Sequence, residues 1–303
     1  MLSAAVEQYI ALHTTVGYRF RDESVLLRLF VRYAEDRGDE VVRIQTVLEW
    51  AAKATSPGAR RRRLHVVRRF AHRMSAEEVR HEVPPPDVFG PVPPRRPPVL
   101  FTPSAIGELL TAAATLGPKG SLRSRTYTTL LGLLACTGLR ISEALTLRCS
   151  DLTVQGLVIR VTKFKKSRLV PLHETSRQAL EKYLTARGRR VGADDALFIS
   201  ERGSKLRYST VNAVFLRLAR GIGLHPGAGQ RGVRLHDLRH TFAVRSLEQC
   251  EGDRHDVARH MLALSTYLGH ARLAHTYWYL EATPALLSDI AARSESLATG
   301  ASR

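Results

Sequence analysis

Three stretches far apart along the chain gather arginine, histidine and tyrosine beside glycine and apolar anchors. They are Thr137-Gly138-Leu139-Arg140-Ile141-Ser142-Glu143, Leu235-His236-Asp237-Leu238-Arg239-His240, and Tyr267-Leu268-Gly269-His270 running on to Tyr277 and Tyr279. Phosphoryl transfer at a diester needs this inventory. A nucleophile attacks phosphorus, cations hold the non-bridging oxygens as charge builds, and a proton donor assists the leaving 5′ oxygen. Arginine suits the clamp because its planar fork offers two parallel donors to phosphate oxygens and stays charged at any working pH. His236 and Arg239, three apart on a predicted helix, project from one face. Arg140 follows Gly138 at a helix end, with Glu143 one turn on. Two residues along a helix rotate a side chain by about 200°, so only one of Tyr277 and Tyr279 faces a given phosphate.

The elements that must hold these residues divide at Pro84–Pro98, PPPDVFGPVPPRRPP, which sustains neither a helix nor a central strand. The predicted layout is a helical domain over residues 1–83, a Pro-rich, semi-extended linker over 84–100 and a larger domain over 101–303. Before the linker, apolar residues recur at helical spacing at Val6, Ile10 and Leu12, at Val25, Leu26, Leu29, Phe30 and Tyr33, at Val47, Leu48, Trp50 and Ala51, and at Leu64, Val67, Phe70 and Met74. Four helices follow. Ser56-Pro57 caps the last, which carries Arg60, Arg61, Arg62, Arg63, Arg68, Arg69 and Arg73; four successive arginines fan around a helix, and a phosphate-tracking role is preferred to inert surface. After the linker, Thr102-Pro103-Ser104 opens a helix and Ser121–Thr137 forms a more apolar one. Strands are predicted at Leu157–Val161 and Arg168–Leu172 around a tight connection at Lys163–Ser167. Helices resume at Thr175–Arg187, Tyr208–Arg220, Leu235–Glu248 and His255–Leu268, and Thr283-Pro284 opens a short terminal one. The fold class is mainly α with a small β-sheet in the larger domain.

Composition narrows the partners. The 303 residues favour two domains, and 46 Lys+Arg against 28 Asp+Glu leave +18, a field that attracts polyanions and releases their counterions. Nucleic acid leads, ahead of a membrane surface. No run of about 18 apolar residues spans a bilayer, and the N-terminal stretch has no basic region followed by an uninterrupted apolar one, so a soluble, unexported protein is expected. Cys136, Cys149 and Cys250 are odd in number and widely spaced, which predicts buried free thiols in a reducing cytosol.

The order Arg140, Lys163 in the hairpin, His236-x-x-Arg239, Leu268-Gly269-His270 and then Tyr279 nine residues on resembles the motif of the tyrosine recombinases, or phage integrases. Surrounding residues match as well: Thr137-Gly138-Leu139, Ser142-Glu143, Arg168-Leu169-Val170-Pro171-Leu172 and Leu235–His240. The likeness spans Phe101 to Leu287 and, with the N-terminal helices, the whole chain; the Tyr-Trp-Tyr-Leu ending resembles the mobile-element branch. The resemblance implies an N-terminal four-helix core-binding domain, a C-terminal catalytic domain, and recombination of double-stranded DNA through a 3′-phosphotyrosine. It makes Tyr279 the nucleophile, Arg140 and Arg239 the phosphate clamp, Lys163 the acid, and His236 and His270 assistants. It implies no metal, no cofactor, no membrane, cytoplasmic work on the nucleoid, and a cyclic tetramer on two DNA sites. The hairpin departs from the family pattern, with Thr162 and Phe164 in place of the usual glycines, and Lys165 and Lys166 compete with Lys163 as acid or contact DNA phosphates. Two rival readings remain: a type IB topoisomerase with the same chemistry, and a catalytically silent DNA-binding protein.

Overall fold

A computed structural model describes residues 2–16, 20–91, 97–160, 167–188, 195–224, 232–250, 254–270 and 276. The chain forms two compact units, Met1–Arg95 and Arg96–Arg303.

In the first unit four helices, α1 (Leu2–Thr15), α2 (Arg21–Glu35), α3 (Ile44–Ala52) and α4 (Pro57–Ser75), enclose a single core. Aromatic edges lock it, Phe30 against Trp50 with ring centroids 5.5 Å apart and Tyr9 against Phe70 at 5.4 Å. The cap expected at Ser56 is made: its Oγ accepts from the Ala59 N–H at 3.2 Å, and Pro57 takes the first helical position, where no N–H is needed. On α2 the buried face is Ser24, Leu27, Phe30, Val31 and Ala34, whereas Val25 and Leu29 are exposed, as is Leu12 on α1. Val25-Leu26-Leu27 is contiguous, so spacing alone left the helix free to rotate about its axis. Part of the Pro-rich stretch belongs to this unit, since Phe89 packs on its core and the Pro84 carbonyl accepts from Arg68 at 3.0 Å.

The second unit is built on α5 (Pro103–Ala114), α6 (Leu122–Thr137), the single turn α7 (Ile141–Ala144), α8 (Glu174–Arg187), α9 (Tyr208–Gly221), α10 (Leu235–Glu248) and α11 (Arg254–Leu268). Thr102 caps α5 by accepting from the Ala105 N–H at 3.1 Å. The sheet has three antiparallel strands in the order β1 (Leu152–Thr153), β2 (Gly156–Ile159), β3 (Arg168–Val170), with Leu157 opposite both Leu152 and Val170. Its first strand, only two residues long, has no periodicity to announce it. α6 and α10 are buried on nearly every side, and α10 packs between α6 and α11. The start of this unit is clipped to α10: the Phe101 N–H donates to Thr241 Oγ1 at 3.0 Å and its carbonyl accepts from Arg245 Nη2 at 2.6 Å.

The three cysteines are free, but none is buried; Cys136 is exposed on the outer side of α6 beside Ser176. Among the described residues no helix is long and apolar enough to cross a membrane.

Candidate active site

Three helix ends converge here. The first is the C-terminus of α6, where Gly138 adopts the left-handed conformation at φ 59° and its N–H returns to the Leu134 carbonyl at 3.0 Å. A Cβ at this position would lie 2.6 Å from the Phe242 ring, so glycine is required by both conformation and space. The turn it makes delivers Arg140 to the start of α7.

The second end is the C-terminus of α11, where Leu268-Gly269-His270 forms a Schellman cap. Gly269 sits at φ 66°, its N–H donates to the Thr266 carbonyl and the His270 N–H to the Ser265 carbonyl, both at 3.0 Å. The cap satisfies two of the helix's last carbonyls and leaves those of Leu268 and Gly269 to accept from arginines. Arg239 Nη2 donates to the Leu268 carbonyl at 2.7 Å and Arg140 Nη1 to the same oxygen at 3.4 Å, while Arg140 Nη2 reaches the Gly269 carbonyl at 3.3 Å. Arg239 Nη1 also donates to the Gly138 carbonyl at 2.8 Å. One guanidinium therefore ties both helix ends together. Each lies at the negative end of a helix dipole, which favours a cation.

The third end is the N-terminus of α10. Asp237, fully buried at its third position, accepts from the Arg234 N–H at 2.8 Å and so fixes the first turn, on which His236 stands. Arg239 and His240 follow one turn later, Arg239 only 1% exposed and the His240 ring edge-on to that of His236 at 4.6 Å. Crowding by protein atoms, followed by the positive charges of Arg239, Arg140 and Arg234, lowers the His236 pKa to about 4. The ring still keeps a solvent-exposed side. It is neutral at neutral pH. His270 is oriented by a 2.8 Å hydrogen bond between its Nδ1 and Oγ1 of the buried Thr276.

Two residues join the site that were not singled out for chemistry. Glu143 is 9% exposed and lies between Arg140 and Arg168, with Arg140 Nη1 at 2.9 Å from Oε1 and Arg168 donating to both oxygens, at 3.0 and 2.9 Å. Burial alone would raise its pKa, but the hydrogen bonds and charge of Arg168, then those of Arg140, override it and hold the carboxyl at about 2. The presence of Arg168 in a strand next to Val170-Pro171 carried no signal of this role. Among the described residues, Arg140, Arg168, Arg239 and Arg234 against the carboxylates of Glu143 and Asp237 leave an excess of positive charge beside a neutral imidazole, a balance that suits an anion.

Lys163, Lys165, Lys166, Tyr277 and Tyr279 lie outside the described residues. Of the α4 arginines, Arg60 donates to the Ala54 carbonyl at 2.9 Å, Arg63 to that of Trp50 at 3.0 Å, Arg61 to that of Phe89 at 3.4 Å and Arg68 to that of Pro84 at 3.0 Å. Arg62 pairs with Asp22 at 3.0 Å, and Arg69 lies over the Phe20 ring. These arginines hold their own unit together as well as charging its surface.

The profile of the phage integrase family matches residues 100–285. The chain is 35% identical to the putative integrase/recombinase y4rB of Sinorhizobium fredii over 96% of each chain. It is 30% identical to the tyrosine recombinase XerD of Oceanobacillus iheyensis over 76% of this chain and 73% of that one. Its fold is similar to that of a lambda integrase crystallised as a tetramer bound to a Holliday junction, with TM-score 0.65 at 15% identity, covering 92% of this chain and 76% of that one. With the arginines, the histidine pair and the Leu-Gly-His cap of the motif gathered at one place, this chain belongs to the phage integrase family of tyrosine recombinases.

Proposed function

We propose that the protein is a site-specific DNA recombinase of a mobile element, cutting and rejoining strands through a 3′-phosphotyrosine on Tyr279. The observation that supports it most is the pair of arginines, Arg140 and Arg239, held on the one Leu268 carbonyl beside a neutral His236. In this reading the Tyr279 Oη attacks phosphorus, the bond to the 5′ oxygen breaks, and the phenol's proton leaves to a neighbouring base. Lys163 supplies a proton to the 5′ oxygen. Arg140 takes up charge on the non-bridging oxygens, with Arg239 adding a fixed positive charge from beneath. His236 is in the protonation state that accepts a proton, and His270 is steered by Thr276 toward the same phosphate. The phosphotyrosine conserves the energy of the broken diester until another 5′ hydroxyl attacks it. Lys165, Lys166 and the α4 arginines contact DNA phosphates, and the working assembly is a homotetramer on two sites, acting in the cytoplasm on nucleoid DNA.

The test is covalent capture on random duplex fragments, followed by sequencing of the trapped DNA. Tyr279→Phe deletes the nucleophilic oxygen and little else, so trapping should vanish while non-covalent binding stays within about threefold. An adduct that persists in Tyr279→Phe and disappears in Tyr277→Phe would move the nucleophile. A wild-type protein that relaxes supercoils without site preference and never exchanges strands would favour the topoisomerase reading.

A further inference from the structure

Glu143 is a carboxylate whose hydrogen-bonding capacity is used from two sides. Oε1 accepts from Arg140 Nη1 at 2.9 Å and from Arg168 Nη1 at 3.0 Å; Oε2 accepts from the Arg140 backbone N–H at 3.0 Å and from Arg168 Nη2 at 2.9 Å. Arg168 thus spans both oxygens as a fork, whereas the Arg140 side chain makes one bond to the carboxylate and turns its other donors to the Leu268 and Gly269 carbonyls. The third arm of Arg168, its Nε, donates to the Tyr267 carbonyl at 2.7 Å, immediately before the two carbonyls that hold Arg140 and Arg239. Its side chain is 10% exposed, against 33% for Arg140. Gly269 makes room for it: a Cβ there would stand 2.7 Å from Arg168 Nη1. Hence β3, α7 and the α11 cap meet at one buried guanidinium.

We propose that Arg168 is a positioning residue for strand cleavage: by occupying both oxygens of Glu143 and the Tyr267 carbonyl, it keeps Arg140 from closing onto Glu143 and holds it toward the scissile phosphate. The inference rests on the assignment of Arg140 to that phosphate. Without Arg168, an ionised carboxylate would remain in a low-dielectric pocket with two acceptor directions emptied, and the cation already in contact with it is Arg140. A bidentate pair is the strong geometry for guanidinium and carboxylate, and it uses the same fork that a phosphate needs. Losing Arg168 also removes the main influence that holds the Glu143 pKa low. The carboxyl would then titrate nearer the working range, and its protonated form would release Arg140. Among the described residues, the charged and titratable groups facing it are few. Arg140 comes from the α6–α7 turn and Arg168 from β3; beyond them lie Arg239 and His236 of α10 on the far side of Arg140, and Tyr267 of α11 beside Arg168, with Cys136 of α6 next to Tyr267.

The experiment measures single-turnover cleavage of a DNA site recovered by covalent capture, nicked beside the scissile phosphate so that the cut product leaves. Arg168→Met, Arg168→Lys, their Glu143→Gln doubles and Arg140→Ala are compared with the parent from pH 5 to pH 8. Expected for Arg168→Met is a cleavage rate lowered at least tenfold at pH 7.5 with binding within about threefold. The deficit relative to the parent should shrink as pH falls, because protonation of Glu143 lets go of Arg140. Adding Glu143→Gln should restore at least fivefold and abolish that pH trend, and Arg168→Lys should fall between. A purely structural role would leave the ratio to the parent flat with pH and give no rescue of the cleavage rate by Glu143→Gln, and either result overturns the proposal. So does unimpaired cleavage by both Arg168 variants, or failure of both to fold. Arg140→Ala separates the premises: if it cleaves normally, the site assignment is wrong; if it is inactive while the Arg168 variants match the parent, only the positioning role is lost.

Discussion

At the scale of single residues, the site is held by backbone carbonyls as much as by side chains. The Leu268 carbonyl accepts from two guanidiniums because the Schellman cap turns the chain sharply at Gly269, whose φ of 66° a residue with a Cβ adopts only under strain. Gly269→Ala would cost about 1–3 kcal/mol for the left-handed backbone. Its methyl would also press on Arg168 from 2.7 Å, a contact that the end of a long side chain relieves only by breaking its fork on Glu143. Urea denaturation should therefore show a loss in that range, and single-turnover cleavage should fall by more than the lost stability explains, since the folded fraction remains near unity. Cleavage equal to the parent's would mean that the cap carbonyls do not set the arginines. Glycine at this position was visible in the sequence as part of a motif, but the reason for it was not: the clash partner lies a hundred residues upstream, in a strand.

At the scale of elements, helix positions were readable wherever a cap and a periodic apolar stripe agreed. Ser56-Pro57 and Thr102-Pro103 each announced a helix that begins there, and α10 runs over Leu235–Glu248 as its pattern predicted. What escaped were elements too short to show a period, namely β1 and the single turn α7, together with contacts that only the fold creates, such as Glu143 with Arg168. The α4 arginines show the same limit. A fan of charge is legible, but its division between structure and DNA is not, because the carbonyls at Trp50 and Ala54 come from the end of α3 and the turn after it. That division is testable. Arg63 donates to the Trp50 carbonyl and lies over the Trp50 ring at 4.8 Å, whereas Arg62, 54% exposed, meets only a surface carboxylate, Asp22, among its described partners. Arg63→Ala should lower stability by about 1–2 kcal/mol through the lost hydrogen bond and ring contact. Arg62→Ala should change stability by less than about 0.5 kcal/mol, as exposed pairs do, and should instead reduce the salt slope of DNA binding by about one. An Arg62→Ala protein with an unchanged salt slope would remove that residue from the phosphate contacts.

At the scale of the whole molecule, two cores divide the work of folding, and charge divides unequally between them. Residues 1–95 carry 16 Lys and Arg against 12 Asp and Glu, while residues 96–303 carry 30 against 16. Most of the net +18 therefore belongs to the unit that holds Arg140, Arg168 and Arg239, even though the densest arginine run lies in α4 of the other. Long-range attraction to a polyanion follows net charge, whereas local contact follows where single guanidiniums sit, so the two units should contribute differently to binding. Each unit has its own buried cluster, Phe30, Trp50, Phe70 and their neighbours in one, Phe101, Leu130, Phe215 and theirs in the other, which is the condition for expressing them apart. We predict that residues 96–303 alone retain most of the salt dependence of the intact protein for a captured DNA site, and that residues 1–95 bind the same DNA weakly with a shallower slope. Each phosphate neutralised contributes about 0.9 to that slope on duplex DNA, so the comparison counts contacts in each half. Mixing the two halves should not recover the affinity of the intact chain. Joining them through the Pro-rich stretch makes the second contact intramolecular, a gain of about 10²–10⁴-fold for a linker that spans both sites. Fluorescence anisotropy of a labelled duplex across 50–300 mM salt reads both quantities. If the steeper slope came from residues 1–95, the arginine fan of α4 and not the net charge of the catalytic unit would govern how this recombinase is drawn to DNA.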